Sequence, residues 1–162
     1  MATISEIKKK IDLAIKGIHP AMAKGFESNE EEILDLIRIG QLSIGLDAKN
    51  KPITKLPRYT GVYAQTYTSQ SVGGWGDVSP RTTKVAGQPY NFTWSGYTMN
   101  SFRLDYKDAY LFISNTGSSA NYLESFYDNG QDLFKMSEEN KQILREEYTI
   151  KILKDYLKSI FK

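Results

Sequence analysis

The residues best equipped for chemistry are five carboxylates, Asp105, Asp108, Glu124, Asp128 and Asp132, which fall within one stretch of the chain. Two carboxylates at a working separation can cleave a glycosidic bond, one as acid and the other as base or nucleophile. Spacing alone brings no two of these to such a separation, and turns and strand edges carry acids for structural reasons. Asp105-Tyr106-Lys107-Asp108 and Asp128-Asn129-Gly130-Gln131-Asp132 have the flavour of calcium loops, but neither has oxygen ligands at the required offsets ending in a bidentate Glu. They read as turns. The one histidine, His19, precedes Pro20 with no carboxylate beside it in sequence, which suits a helix-end residue meeting terminal carbonyls better than a general base.

The chain has no cysteine, which removes thiolate catalysis, disulfides and Cys-ligated zinc or iron–sulfur sites. Gly73-Gly74-Trp75-Gly76 lacks the Gly-Lys-Ser/Thr ending and the preceding strand of a phosphate cradle. Asn91-Phe92-Thr93 matches a glycosylation sequon without a secretion signal to make it relevant. The expectation is a protein that is not an enzyme and uses no cofactor or metal.

Aromatic residues offer a different kind of site. Eleven Tyr and two Trp are many for a chain of 162 residues, and both types combine apolar area with a polar handle suited to interfaces. Tyr148 and Tyr156 fall at helical spacing and read as core. Tyr63, Tyr67 and Trp75 follow no core pattern, and with Trp94 and Tyr97 they are the candidate subunit-interface residues.

The elements that must position these residues order as helices, a β-rich middle and a terminal helix, an α+β class. Ser5 can cap a helix over residues 5–18, in which Ile7, Ile11, Ala14, Ile15 and Ile18 recur at three- and four-residue spacing and His19-Pro20 ends the run. Ser28-Asn29-Glu30-Glu31 has the form of a capping box and opens a second helix from about Asn29 to Gln41. Gly45, the run Asp47 to Asn50 and Pro52 then turn the chain. Residues 58–68 favour a strand, with a short helix as the alternative, and residues 68–90, rich in Ser, Gly, Thr and Pro, form a long loop or arm. Phe102, Leu104 and Tyr106 alternate as a strand, Lys107-Asp108 turns, and Ala109–Asn115 is the return strand of an antiparallel hairpin. Residues 121–128 form one or two helical turns ended by Asn129-Gly130. Ser137 caps a long amphipathic helix with Glu138 and Glu139 in its first turn and Lys151, Lys154 and Lys158 toward its C-terminus. With no repeat or low-complexity linker, residues 1–162 read as a single domain.

Composition bounds the partners. A net charge of +2 from 21 basic and 19 acidic residues is too balanced for a specific nucleic-acid surface, and Lys8-Lys9-Lys10 reads as a solvated helix face. No apolar run approaches the roughly 18 residues of a membrane span, and the N-terminus lacks a secretory signal, so the expectation is a soluble protein made in the cytoplasm.

The order of motifs carries a resemblance. Residues 29–53, NEEEILDLIRIGQLSIGLDAKNKPI, resemble the opening of small virion-morphogenesis proteins of tailed bacteriophages that infect gut Bacteroidota. Thr93-Trp94-Ser95-Gly96-Tyr97-Thr98-Met99-Asn100-Ser101-Phe102 is similar to a signature of that group and, more loosely, of neck and tail-completion proteins, with Ser95 where threonine is usual. A hairpin, a Tyr-containing turn over Tyr122 to Gly130, and Gln131-Asp132-Leu133-Phe134-Lys135-Met136-Ser137-Glu138-Glu139 follow in the same order. The resemblance, over residues 29–162, implies a structural virion protein of the head-tail connector, neck or tail-completion type. Such a subunit would form a ring homo-oligomer around the portal–tail axis beside portal, adaptor or tail proteins, near the DNA channel, with residues 68–90 as the reaching arm. Two competing expectations are a phage surface module that binds host glycans through exposed aromatics, and a cell-wall or capsule hydrolase using the five acids.

Overall fold

The computed structural model describes residues 3–53, 97–117, 123, 124, 126 and 130–162. In chain order these form helix α1 (Ile4–Ser28), helix α2 (Glu30–Ile37) running into a π-helical turn (Arg38–Leu42), a short helix α3 (Tyr97–Asn100), strands β1 (Phe102–Lys107) and β2 (Tyr110–Asn115), helix α4 (Glu138–Ile143), a π-helical stretch (Leu144–Thr149) and helix α5 (Ile150–Ile160). The architecture is α+β: helices at both ends of the chain and a two-stranded antiparallel sheet between them. The expected strand at 58–68 and the arm at 68–90 lie outside the described residues.

Helix α1 is longer than its sequence suggests. It begins at a capping box made by Thr3, not Ser5: the Thr3 hydroxyl accepts from the Glu6 amide at 3.3 Å and the Glu6 carboxylate accepts from the Thr3 amide at 2.7 Å. It then continues through Pro20 to Ser28, where the sequence points to a stop at His19-Pro20. An interior proline costs a helix about 3 kcal/mol. Met22 and Phe26, two and six residues further on, are both buried, and full burial of such side chains is worth roughly 1.5–3 kcal/mol each. Packing therefore outweighs the break.

The Ser28 capping box does not form. Ser28 is the last residue of α1 and its hydroxyl donates to the Lys24 carbonyl, while the Asn29 carboxamide donates back to the Gly25 carbonyl. Asn29 caps both helices through its backbone position, without a side-chain bond to α2. The acids of α2 work across the fold instead. The Glu30 carboxylate accepts from the Leu104 amide at 3.1 Å, occupying part of the outer edge of β1, and Arg38, nearly buried, pairs with Glu31 at 2.6 Å and Asp35 at 2.8 Å.

The hairpin has its predicted alternation but a turn one residue later. Phe102 pairs with Asn115 and Lys107 with Tyr110, so the connection is Asp108-Ala109, with both residues at positive φ (52° and 66°). That is the geometry a two-residue turn needs to match the strand twist. The inner face carries Phe102, Leu104 and Tyr106 opposite Asn115, Ile113 and Leu111. Phe102 enters the core with Phe26, Ile33, Leu34, Leu123 and Phe126, and Tyr106 packs on Phe26 with ring centroids 5.3 Å apart. Gly130, at φ 75°, precedes a bond from the Gln131 amide to the Phe126 carbonyl, the left-handed ending expected at Asn129-Gly130.

Residues 43–53 fold back as expected. The buried Asp47 carboxylate accepts from the Lys49 and Lys51 amides, and Leu46 bridges Pro52. This loop is tied to the chain entering α4 by the Ala48 amide on the Asp132 carbonyl.

The C-terminal helix starts at Ser137, whose hydroxyl accepts from the Asn140 amide, as the sequence indicates. Its inward residues, Asn140, Leu144, Tyr148, Ile152, Tyr156 and Ile160, recur every four positions. On a regular α-helix that spacing drifts by about 200° over twenty residues. The wider i→i+5 turns of the Leu144–Thr149 stretch take back part of this drift, so one stripe faces the body and then α1.

Helices α1 and α5 run side by side and meet at two glycines. A Cβ on Gly25 would lie 2.8 Å from Cδ1 of Ile152, and one on Gly17 would lie 2.9 Å from Cζ of Tyr156. Gly25→Ala is expected to destabilise the protein by about 1–2 kcal/mol, because overpacking outweighs the ~1 kcal/mol gain in helix propensity. Urea unfolding checks the sign: a higher midpoint for the alanine variant would mean that the helices are not in this contact.

Candidate functional site

The described acids considered for hydrolysis are dispersed over separate elements. Asp105 is on the outward face of β1, opposite Phe112, and Asp108 is in the turn. Asp132 is largely buried ahead of α4, where its carboxylate accepts from the Phe134 and Lys135 amides and pairs with the Lys135 ammonium at 2.7 Å. Glu124 is exposed, and Asp128 lies outside the described residues. Among the described residues no three His, Cys, Asp or Glu side chains gather where they can hold a metal ion. His19 is not at a helix end: it sits inside α1 with its Nδ1 3.0 Å from the Tyr106 hydroxyl, fastening the helix to the hairpin.

Of the candidate interface aromatics, Tyr63, Tyr67, Trp75 and Trp94 lie outside the described residues, and Tyr97 is placed only by its backbone, at the start of α3. The exposed aromatic pair that the structure does describe is on the hairpin. Tyr110 is 69% and Phe112 51% exposed, on the outward face of β2 with ring centroids 6.4 Å apart.

A larger apolar surface lies on α1 and α5. Sequence periodicity presents Ile7, Ile11 and Ile15 as part of a core-facing stripe, but they are 45%, 45% and 64% exposed, and Ile4 still more so. The reason is length. The face of α1 that packs on the body through Ile18, Met22 and Phe26 continues toward the N-terminus past the end of the core, where among the described residues α5 accompanies it. Ala14 is the one buried residue in that half of α1, and α5 has none. The pair forms a two-helix stalk, held by the Tyr156 hydroxyl on the Leu13 and Ala14 carbonyls at 3.2 and 3.1 Å and, at its tip, by the Lys10 ammonium on the Lys162 carbonyl at 3.0 Å. Leu157 of α5 and Phe161 at its C-cap floor a shallow apolar depression rimmed by Lys154, Lys158 and Lys162.

At the other end of the C-terminal helix the charge reverses. The Asn140 carboxamide donates to the Leu36 carbonyl at 2.7 Å, which brings α4 against α2. Burial and the neighbouring Glu32 carboxylate, which accepts its hydroxyl, hold the Tyr148 phenol above its ordinary value. The acids of both helices therefore share one end of the molecule, and Ile39, just after α2, and Ile143, in α4, are exposed.

No described helix is long and apolar enough to cross a membrane. No known protein family, curated protein or solved structure matches the chain.

The stalk's first turn is expected to respond to acid. Backbone and side-chain hydrogen bonds from Thr3 hold the Glu6 carboxyl below its ordinary value of 4.5. A lowered folded-state value means that the cap contributes above pH 4.5 and is lost as pH falls through the lowered value. Amide exchange at Glu6 and Ile7 is expected to lose protection in that acid range before the body does, and Glu6→Gln to flatten the dependence.

Proposed function

We propose that the chain is a non-catalytic structural subunit of a tailed-phage virion, part of the neck or tail-completion assembly that joins head to tail. The observation that carries the assembly role is the two-helix stalk, whose apolar face extends beyond the core and presents Ile4, Ile11 and Ile15 to solvent beside lysines. Contiguous exposed apolar surface rimmed by polar groups marks a site of association. The ordered motifs from Asn29 to the last helix supply the virion context, with portal, adaptor or tail proteins and further copies of the chain as neighbours after assembly in the host cytoplasm. In this reading Asp108 and Asp132 serve turns.

Particle mapping tests it. Antibody or density labelling of whole virions is expected to place the subunit between head and tail. A chain that is absent from purified particles, and that associates with neither portal nor tail when the three are co-produced, would remove this reading.

The hairpin's aromatic pair favours a second reading, a surface module that binds host glycans. Tyr110 and Phe112 offer a small platform for the apolar faces of sugars, flanked by Asp105 and Lys107 as polar partners. On that reading, glycan-array binding would fall at least about tenfold with Phe112→Ala, as expected for losing one stacked anchor. Equal binding by wild type and variant would dismiss it.

A further inference from the structure

The stalk is basic as well as apolar. Over residues 3–25 and 150–162, nine lysines stand against three acids, in a chain whose net charge is only +2. The surplus is balanced elsewhere: residues 27–35 of α1 and α2 hold five acids and no base, and residues 138–147 hold four acids against two bases. Because α2 and α4 are neighbours, the molecule has a basic apolar end and an acidic end with its own exposed isoleucines, Ile39 and Ile143. Along the C-terminal helix, Glu139 and Lys158 are separated by roughly 30 Å, well beyond the Debye length of about 10 Å at 0.1 M salt. The two ends therefore do not neutralise each other within one copy.

Internal roles account for only part of the basic charge. Lys158 complements the C-terminal dipole of α5, but Lys8, Lys9 and Lys10 lie in the N-terminal half of α1, where the dipole gives cations no advantage. A symmetric pairing of two stalks would set lysines against lysines. Among the described residues, the complementary surface is the acidic end of another copy.

We propose that the stalk of one copy docks on the acidic end of the next, its isoleucine stripe meeting Ile39 and Ile143 and its lysines meeting Glu139, Glu146 and Glu147. This rests on the assembly-subunit reading and specifies its contact. The contact is heterologous: each copy offers one end and receives at the other, so association continues to a closed ring or an open filament according to the rotation it imposes.

Charge exchange tests it. The full-length protein, followed by sedimentation velocity up to about 100 µM, is expected to self-associate and to weaken by at least about tenfold from roughly 50 to 500 mM NaCl. The triple variants Lys151→Glu/Lys154→Glu/Lys158→Glu and Glu139→Lys/Glu146→Lys/Glu147→Lys change exposed positions only, and circular dichroism verifies that each is folded. Each alone is expected to be monomeric, an equimolar mixture of the two to associate again, and a chain carrying all six changes to associate by itself. The proposal is overturned if wild type stays monomeric at low salt, if either triple variant associates as wild type does, or if mixing restores nothing. Wild type that binds phosphatidylserine vesicles or duplex DNA while remaining monomeric also overturns it, in favour of a polyanion as the stalk's partner. Particle mapping separates this outcome from the virion role: a monomeric chain found in the neck keeps that role and loses this contact, and a charge-exchangeable oligomer absent from virions does the reverse.

Discussion

The Gln41 carboxamide is buried in the π-helical turn after α2 and commits both of its polar ends to the segment that opens the C-terminal helix. Its nitrogen donates to the Lys135 carbonyl at 3.0 Å and its oxygen accepts from the Ser137 amide at 2.9 Å. Leaving either backbone group unpaired in this setting costs about 1–3 kcal/mol, so the start of α4 is fixed in position and in direction. Asn140, one turn on, repeats the device against the Leu36 carbonyl. Everything downstream depends on these two amides. They set the helix against α2, and the π stretch then turns its inward stripe toward α1, where Ile152 and Tyr156 meet Gly25 and Gly17.

The latch explains why the stalk can exist with so little core. The buried apolar side chains cluster between Met22 and Met136 in sequence, and none belongs to α5. A pair in which the N-terminal half of α1 buries Ala14 alone and α5 buries no residue belongs at the low end of local stability within the fold. It stays aligned because its roots are held rigidly: α1 by Phe26 and His19 on Tyr106, and the C-terminal helix by Gln41 and Asn140. A surface built in this way is stiff at its base and yielding at its tip.

What could be read from sequence follows the range of the interactions involved. The hairpin alternation, the Ser137 cap and the Gly130 ending depend on neighbours within a few residues, and all three have their expected place. The extension of α1 through Pro20 does not, because the decisive term is the burial of Met22 and Phe26 against residues far along the chain. The Ser28 box fails for a related reason: once α1 runs to Ser28, that hydroxyl is in a helix and returns to Lys24. The exposed isoleucines of α1 share their period with a core face, and only the length of the helix beyond the body separates the two. The π stretch is not legible in the sequence: Ile143, Leu153 and Leu157 lie among the same apolar positions and fit a regular amphipathic helix, so the four-residue series stands out only once burial is known. The interface aromatics chosen from sequence fall on residues 63–97, where the structure describes only the backbone of Tyr97, so the described surface rests on different residues.

Gln41 also bears on assembly geometry. In a head-to-tail contact, the relation between the receiving end and the offering end of each copy determines whether the chain of copies closes. In the contact proposed above those ends are the α2–α4 corner and the tip of α1 and α5, and the angle between them is set where the C-terminal helix leaves the body. Small rotations at that point are amplified along the roughly 35 Å of the C-terminal helix, so a few degrees at Ser137 displace the lysines of α5 by angstroms relative to the acids of α2. An apolar replacement for Gln41 could fill the same volume but would not define that direction. A buried, fully bonded amide at the hinge between body and stalk is therefore the feature best suited to give every copy the same angle, which a closed ring requires of all its members.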